Sequence, residues 1–352
     1  MNLFRSTTTT PIARNSTNCA PLRRGLLLIP LTLVCFALSP TVQAVSPAPD
    51  GGYPGNNTAE GTNALFSLTT GGQNTALGGF SLFGDTTGNN NTAVGAGALF
   101  KNKANDNTAT GAGALFNNTL GTRNTAHGLA ALATNTTGND NTAVGWEALS
   151  TNTGSDGADN TAVGSQALLH NVAGFDNTAV GFQALFNNTT ITGASGNGNT
   201  AIGSDALFNN TTGDANTAVG TEALGTLATD SDGNTAVGNN ALINMTAGGG
   251  NVAVGSNVGT AHTSGNNNIY IGAEVSGVAV EDNHTYIRNI NTTGVSGGGT
   301  DTVTINLTTG LLGHLSSSRR YKEEIKPMER ASEALYRPKP VSYRYKKEID
   351  ST

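Results

Sequence analysis

Apolar and polar positions along this chain recur with a period of about seventeen residues, and every period has the same two halves. Asn-Thr-Ala-x-Gly or a close relative begins at Asn57, Asn74, Asn91, Asn107, Asn124, Asn141, Asn160, Asn177, Asn199, Asn216, Asn234, Asn251 and Asn268. A Leu follows each of the first eleven, at Leu65, Leu82, Leu99, Leu115 and their equivalents, preceded by Ala in all but the second, which has Ser81, and Phe66, Phe83, Phe100, Phe116, Phe186 and Phe208 come next in their coils. Both apolar runs are short and bounded by Asn, Gly and Thr, so the pattern predicts two short strands and two turns per coil. Stacked coils of that kind form a flattened parallel β-roll. Helix is disfavoured because Gly, Asn and Thr return too often to leave a helical stretch.

Comparing the units sharpens this picture. The fifth position is Gly in all thirteen, and the third is Ala in all but the last, where Tyr270 stands. The fourth is mostly Val or Ile but also Glu60, Thr110 and His127. Such strict smallness implies close backbone approach, either inside a thin coil or across subunits. The anchor Asn suits a turn and can hydrogen-bond its backbone, so stacked Asn are expected to form a ladder along one corner. Burial of one Leu is worth roughly 1.5–3 kcal/mol, little for so long a unit, so the roll is expected to need many coils or subunit association. Extra residues enter at 154–157 and 190–196, as loops on a solenoid do.

Composition agrees with a repeat rather than an ordinary core. The chain has 47 Gly, and charged residues make up only 12%, about half the usual share. Residues 45–318 carry four basic and 18 acidic side chains, whereas residues 319–352 carry ten basic and six acidic. The acidic middle argues against nucleic acid, which wants Lys and Arg clusters. The basic tail, mixed with Glu, reads as a solvated helix face.

The chain is expected to divide as follows. Residues 1–44 read as a signal peptide: Arg23 and Arg24 precede an apolar run, and Val42-Gln43-Ala44 offers the small residues of a cleavage site. Residues 45–56 form a flexible lead-in, 57–272 the β-roll, 273–315 a β-rich connector and 316–352 a C-terminal segment. Cys19 and Cys35 both lie in the leader, so no disulfide or thiolate chemistry is expected in the mature chain. No integral membrane segment is expected once the signal is removed. His127, His170, His262, His284 and His314 lack metal-ligand spacing and read as surface or turn residues. No metal and no cofactor is expected. Trp146 is expected to face solvent or line a groove.

Two resemblances follow from these motifs. Asn-Thr-Ala-Val-Gly-x-x-Ala-Leu resembles the head repeats of trimeric autotransporter adhesins of the YadA type, over about residues 57–272. That resemblance implies a left-handed parallel roll, a homotrimer and an adhesive role toward a host-surface, matrix or glycan ligand. At the other end, Ser317-Ser318-Arg319-Arg320-Tyr321-Lys322-Glu323-Glu324-Ile325 resembles the opening of the endosialidase-type intramolecular chaperone domain, and residues 338–345 resemble its next strand. That family trimerises β-rich fibres and then cuts itself off with a Ser/Lys dyad. Ser317, Arg320 and Lys322 match its Ser, Arg and Lys, while Ser318 stands where it has Asp. Ser317 would be the nucleophile and Lys322 its base, a role that needs a lysine kept neutral by burial. Only 36 residues run from Ser317 to the end, so a truncated form is expected. A Ser cap ahead of a basic helix is the alternative for the same residues.

The sequence thus points to an all-β, parallel β-roll of about 13 coils with a short α+β tail. Its leading function is that of a secreted or surface-exposed trimeric fibre. One alternative is a carbohydrate-active tail-spike protein, which needs paired carboxylates across one groove, whereas Asp140, Asp176 and Asp214 look scattered. The other is an ice-binding solenoid with a Thr ladder on a flat exposed face; Thr58, Thr75 and Thr92 pointing inward would end that idea.

Overall fold

The computed structural model describes residues 53–154, 157–189, 196–228 and 231–289, together with the backbone of four strands between 303 and 345. The chain divides into two compact units, one ending at Arg288 and the other starting at Asn289.

The first unit is an all-β solenoid of about thirteen turns. Its fourteen strands, from β1 (Thr58–Glu60) through β13 (Ile269–Ile271) to β14 (Thr285–Ile287), form one sheet in sequence order. All neighbours are parallel, and equivalent repeat positions face each other: Thr75 pairs with Thr92, Ala76 with Ala93 and Leu77 with Val94. The register survives the long spacings, because Thr142 still pairs with Thr161 and Thr178 with Thr200. The insertions therefore do not shift the sheet. β14 extends the ladder beyond the last Asn-anchored unit, with His284 where the other coils have Asn; its backbone N–H donates to Asn268 Oδ1 at 2.9 Å.

Each coil has one strand, not the two its apolar runs suggest. The Ala-Leu half is a succession of turns. Ala98 N–H donates to Gly95 O at 3.3 Å and Phe116 N–H to Gly113 O at 3.3 Å. The eleven core Leu all have φ between 48° and 53°, the left-handed value a type II turn asks of its third residue. An L side chain there costs roughly 1–2 kcal/mol, against roughly 1.5–3 kcal/mol for burying the Leu. Burial wins narrowly, and a bond between coils helps: Leu82 N–H donates to Ala98 O at 3.0 Å.

The core is a thin seam of one strand Ala, one turn Ala and one Leu per coil, as Ala143, Ala148 and Leu149 show, all fully buried. The Gly ending each strand lies against the next coil. At Gly145, a Cβ would sit 2.6 Å from Gly164 C, and at Gly220 one would meet Gly238 C and O at 2.5 Å. The missing side chains of these glycines thus make room for contacts within the chain, the first of the two readings of their strictness. Near the last coils the seam widens: Tyr270 replaces Ala, is fully buried, and stacks on Tyr286 at 5.5 Å.

Two buried Asn ladders hold the corners. In the anchor row each Oδ1 accepts the backbone N–H of the next anchor, and each Nδ2 reaches a turn carbonyl, as Asn124 Nδ2 does at Gly138 O, 2.8 Å. The second row was not foreseen. It runs through Asn102, Asn118, Asn135, Asn152, Asn171, Asn188 and Asn210, with side-chain amides bonded coil to coil, for example Asn135 Nδ2 to Asn118 Oδ1 at 2.9 Å. Below Asn102 the row holds the buried Asp85; above Asn210 it turns apolar at Leu227 and Met245.

In the second unit, β15 (Val303–Ile305) pairs antiparallel with β16 (Leu312–His314), and β17 (Lys322–Pro327) with β18 (Val341–Tyr345). The helix-face reading of the basic tail fails at residues 322–327. Pro327 has no N–H to continue a helix, and the β-prone Val341–Tyr345 supplies a strand partner. No helix occurs among the described residues, and none there is long and apolar enough to cross a membrane.

Candidate interaction surface

Three-residue strands of Thr-Ala-Val put alternate side chains on opposite faces. The central Ala points into the core, so Thr and the aliphatic residue both point outward. The result is a face bearing two rows, with Val252 and Ile269 replacing Thr in one and Thr110 and His127 interrupting the other. One holds Thr75, Thr92, Thr108 and their successors, half-buried by their neighbours. The other holds aliphatic side chains, of which Leu77, Val144, Val163, Val180, Ile202, Val237, Val254 and Ile271 are 36–43% exposed. The sheet spacing of about 4.8 Å extends these rows over about 60 Å. Past Glu60 the face carries no acid, Lys or Arg, and His127 is its one imidazole. Thr58, Thr75 and Thr92 therefore do not point inward.

The acids are more ordered than their spacing suggested. Asp140, Asp159 and Asp176 take the same left-handed corner position in successive coils, with φ of 57–58°. Arg123, in that row one coil earlier, grips Asp140 through Nε–Oδ1 at 2.6 Å and Nη2–Oδ2 at 2.7 Å. The hydrogen bond and charge of Asp140 raise the Arg123 pKa, while the Arg123 hydrogen bond holds the Asp140 carboxyl below its ordinary range. A second row contains Glu147, Gln166, Gln183, Asp205 and Glu222; Gln166 Nε2 donates to Glu147 Oε2 at 3.0 Å, and Gln183 Nε2 to Gln166 Oε1 at 2.8 Å. Asp205 and Glu222 are thus neighbours on one wall. They stand side by side, not across a groove from one another, which is not the opposed pair glycoside hydrolysis uses.

The roll's last coils hold a buried carboxylate. Glu281 accepts Tyr270 Oη at 2.7 Å, Tyr286 Oη at 2.7 Å and Val278 N–H at 3.0 Å. Burial pushes its pKa up, but the two phenols, the amide and nearby His284 outweigh this and hold it below the usual value. Burial first, and then Glu281, raise the pKa of Tyr270. Glu281 fixes this cluster; its signal in the sequence is the exchange of Ala for Tyr at Tyr270.

His262 is not a surface residue. It is fully buried in the second corner row, 5.5 Å from the Tyr270 ring, with Nδ1 3.2 Å from Val278 O and no hydrogen bond at Nε2. Among the described residues no group of three or more His, Cys, Asp or Glu is placed to hold a metal. Trp146 is about half exposed, at 49%. Of the two residues of the Ser/Lys motif, Ser317 lies outside the described residues, and Lys322 opens β17. Set against known protein families, curated proteins and solved structures, the chain has no match.

Proposed function

We propose that the chain is a secreted or surface-exposed fibre segment of adhesin type, with rolls that associate as a homotrimer along the Thr–aliphatic face. One observation carries this reading: two rows of side chains on one sheet, without acid, Lys or Arg past Glu60, in which eight aliphatic side chains are left 36–43% exposed. A long apolar stripe of that kind marks an interaction site on a soluble molecule. The thin Ala-Leu core supports it too, since each coil buries little by itself. Sedimentation or native mass measurement of residues 45–352 tests it. Three chains per particle are expected, with dissociation when Val163 and Val180 are both replaced by Lys. A stable monomer overturns it.

The C-terminal motif extends the proposal to a trimerisation and self-cleavage segment, with Ser317 as nucleophile and Lys322 as base. Intact mass of the native chain is compared with Ser317→Ala and Lys322→Ala. Loss of the piece near Ser317 in the native chain, abolished by both substitutions, supports cleavage; three intact masses leave the tail structural.

A second reading, ice binding, draws support from the outward Thr row at strand spacing. It predicts thermal hysteresis that falls when Thr161 and Thr178 are replaced by Tyr. Absence of hysteresis in the native protein ends it.

A further inference from the structure

The position after each core Leu builds an outer row of side chains on the turn-made wall of the roll. Where it is aromatic, the rings stack: Phe83 on Phe100 at 5.1 Å, Phe100 on Phe116 at 4.8 Å, and Phe186 on Phe208 at 5.0 Å with 5° between their planes. The coil above Phe208 has Gly225 in this row, and the next has Ile243. A missing side chain between Phe208 and Ile243 leaves a notch of about 270 Å³, bordered on one side by Gln183, Asp205 and Glu222.

The backbone does not require this glycine. Gly225 is not among the positive-φ glycines, and its N–H donates to Glu222 O at 3.2 Å, the turn bond Ser150 makes to Glu147 O at 3.3 Å and Phe116 to Gly113 O at 3.3 Å. A Cβ at Gly225 would come no nearer than 3.3 Å to any heavy atom. The notch is therefore a vacant ring slot within an otherwise regular coil. Two coil spacings, about 9.6 Å, separate the levels of Phe208 and Ile243, room for one flat group between them.

The chemistry of the slot is specific. Phe208 offers a ring face that its stack leaves open on the Gly225 side. Asp205 and Glu222 occupy adjacent levels of one row, both with φ of 56°, and both border the notch. Ser204 Oγ donates to Asp205 Oδ2 at 2.8 Å, and among the described residues neither acid has a salt-bridge partner. A planar cation satisfies all of this at once. A guanidinium stacks on an aromatic face and forks to carboxylates. An ammonium group, compact and strongly hydrated, fits the flat slot less well. A neutral sugar can stack but leaves the charge uncompensated.

We propose that the notch at Gly225 binds the arginine side chain of a basic partner peptide, with Phe208 as platform and Asp205 and Glu222 as acceptors. This site lies on a different wall from the Thr–aliphatic face and does not depend on the trimer. The full chain is titrated at low salt with N-acetyl-Gly-Arg-Gly-amide, followed by NMR of the peptide, with the Lys analogue and methyl glucoside as comparisons. Saturable millimolar binding of the Arg peptide is expected, weakened about tenfold by Gly225→Phe, which fills the slot with the ring its neighbour carries. The surface double variant Asp205→Asn/Glu222→Gln should also weaken it about tenfold while leaving the circular dichroism unchanged. Arg binding indifferent to both variants, no binding to the native chain, or preference for methyl glucoside each overturns the proposal.

Discussion

Asn91 donates its backbone N–H to Asn74 Oδ1 at 2.9 Å, and the same hand-over recurs from every anchor to the next. One side chain thus satisfies a strand-start amide in the coil above and, through Nδ2, a turn carbonyl. Asn is the residue that has both an acceptor and a donor at this length. Its recurrence follows from this double duty inside a dry corner.

Asn124→Ala should therefore be far costlier than its size implies. It strands Asn141 N–H, now 3.0 Å from Asn124 Oδ1, and removes one donor from Gly138 O. A loss of about 2–3 kcal/mol is expected. Denaturant unfolding measures it, and a change no larger than that of an exposed Asn→Ala would refute the ladder's weight.

Two glycines separate steric contact from backbone conformation. Gly220→Ala places a Cβ 2.5 Å from the Gly238 carbonyl, so the coil must open. Gly113 also has a positive φ, 66°, but nothing lies within 4 Å of a Cβ there. Gly113→Ala should cost only about 1 kcal/mol, whereas Gly220→Ala should abolish cooperative unfolding around its coil. Equal effects on the thermal midpoint would contradict coil stacking as the cause.

Asp85 stands in the second corner row, one coil below its run of Asn from Asn102 to Asn210. Burial raises its pKa, against the lowering bonds from Gly88 N–H at 2.8 Å and neighbouring amides. A raised carboxyl pKa means the folded state prefers the proton, so the native chain loses stability as pH rises through the carboxylate range. Asp85→Asn, neutral and a fit for the row, should raise the melting midpoint at pH 7. The gain should shrink on acidification, as Asp85 takes up its proton. A variant less stable than the native chain at pH 7 would show the carboxylate to be favourable.

The Tyr270–Glu281–Tyr286 cluster gives the opposite acid limb and an alkaline one. Glu281 has a lowered folded pKa, so its contribution is present above the unfolded carboxyl value and lost as pH falls through the folded one. The phenols of Tyr270 and Tyr286 are raised, so their contribution is whole below about pH 10 and declines above it. Glu281→Gln should cost about 1–3 kcal/mol at pH 7 and flatten the acid limb of this last region. Hydrogen exchange of residues 268–287 against pH reads it; an unchanged profile would remove Glu281 from the account.

Much of the roll was legible because stacking makes repetition visible. Gly at Gly145 and Ala at Ala143 are forced by contacts the coils share, so the Gly recurs in all thirteen Asn-anchored units and the Ala in all but the last. The turn half reads as strand because Leu149 is a strand-like apolar residue; its left-handed φ of 53° depends on burial, which apolar spacing does not disclose. The row from Asn102 to Asn210 was hidden among turn polar residues, since an Asn bonded in a core and an Asn in a wet turn look alike. β14 escaped because His284 needs only its backbone N–H to take the anchor's place. The slot at Gly225 could be found only by reading down a column of units, where an absent Phe becomes as informative as a present one.

The unchanged register across coils of unequal length has a further consequence. Since Thr108 meets Thr125 and Thr125 meets Thr142 in the same way, removing residues 124–140 would bring Thr108 against Thr142 with every pairing rule intact. The molecule behaves as a ruler graduated in single coils. Gene duplication or loss of one unit changes its reach by about 4.8 Å and needs no compensating change elsewhere in the core.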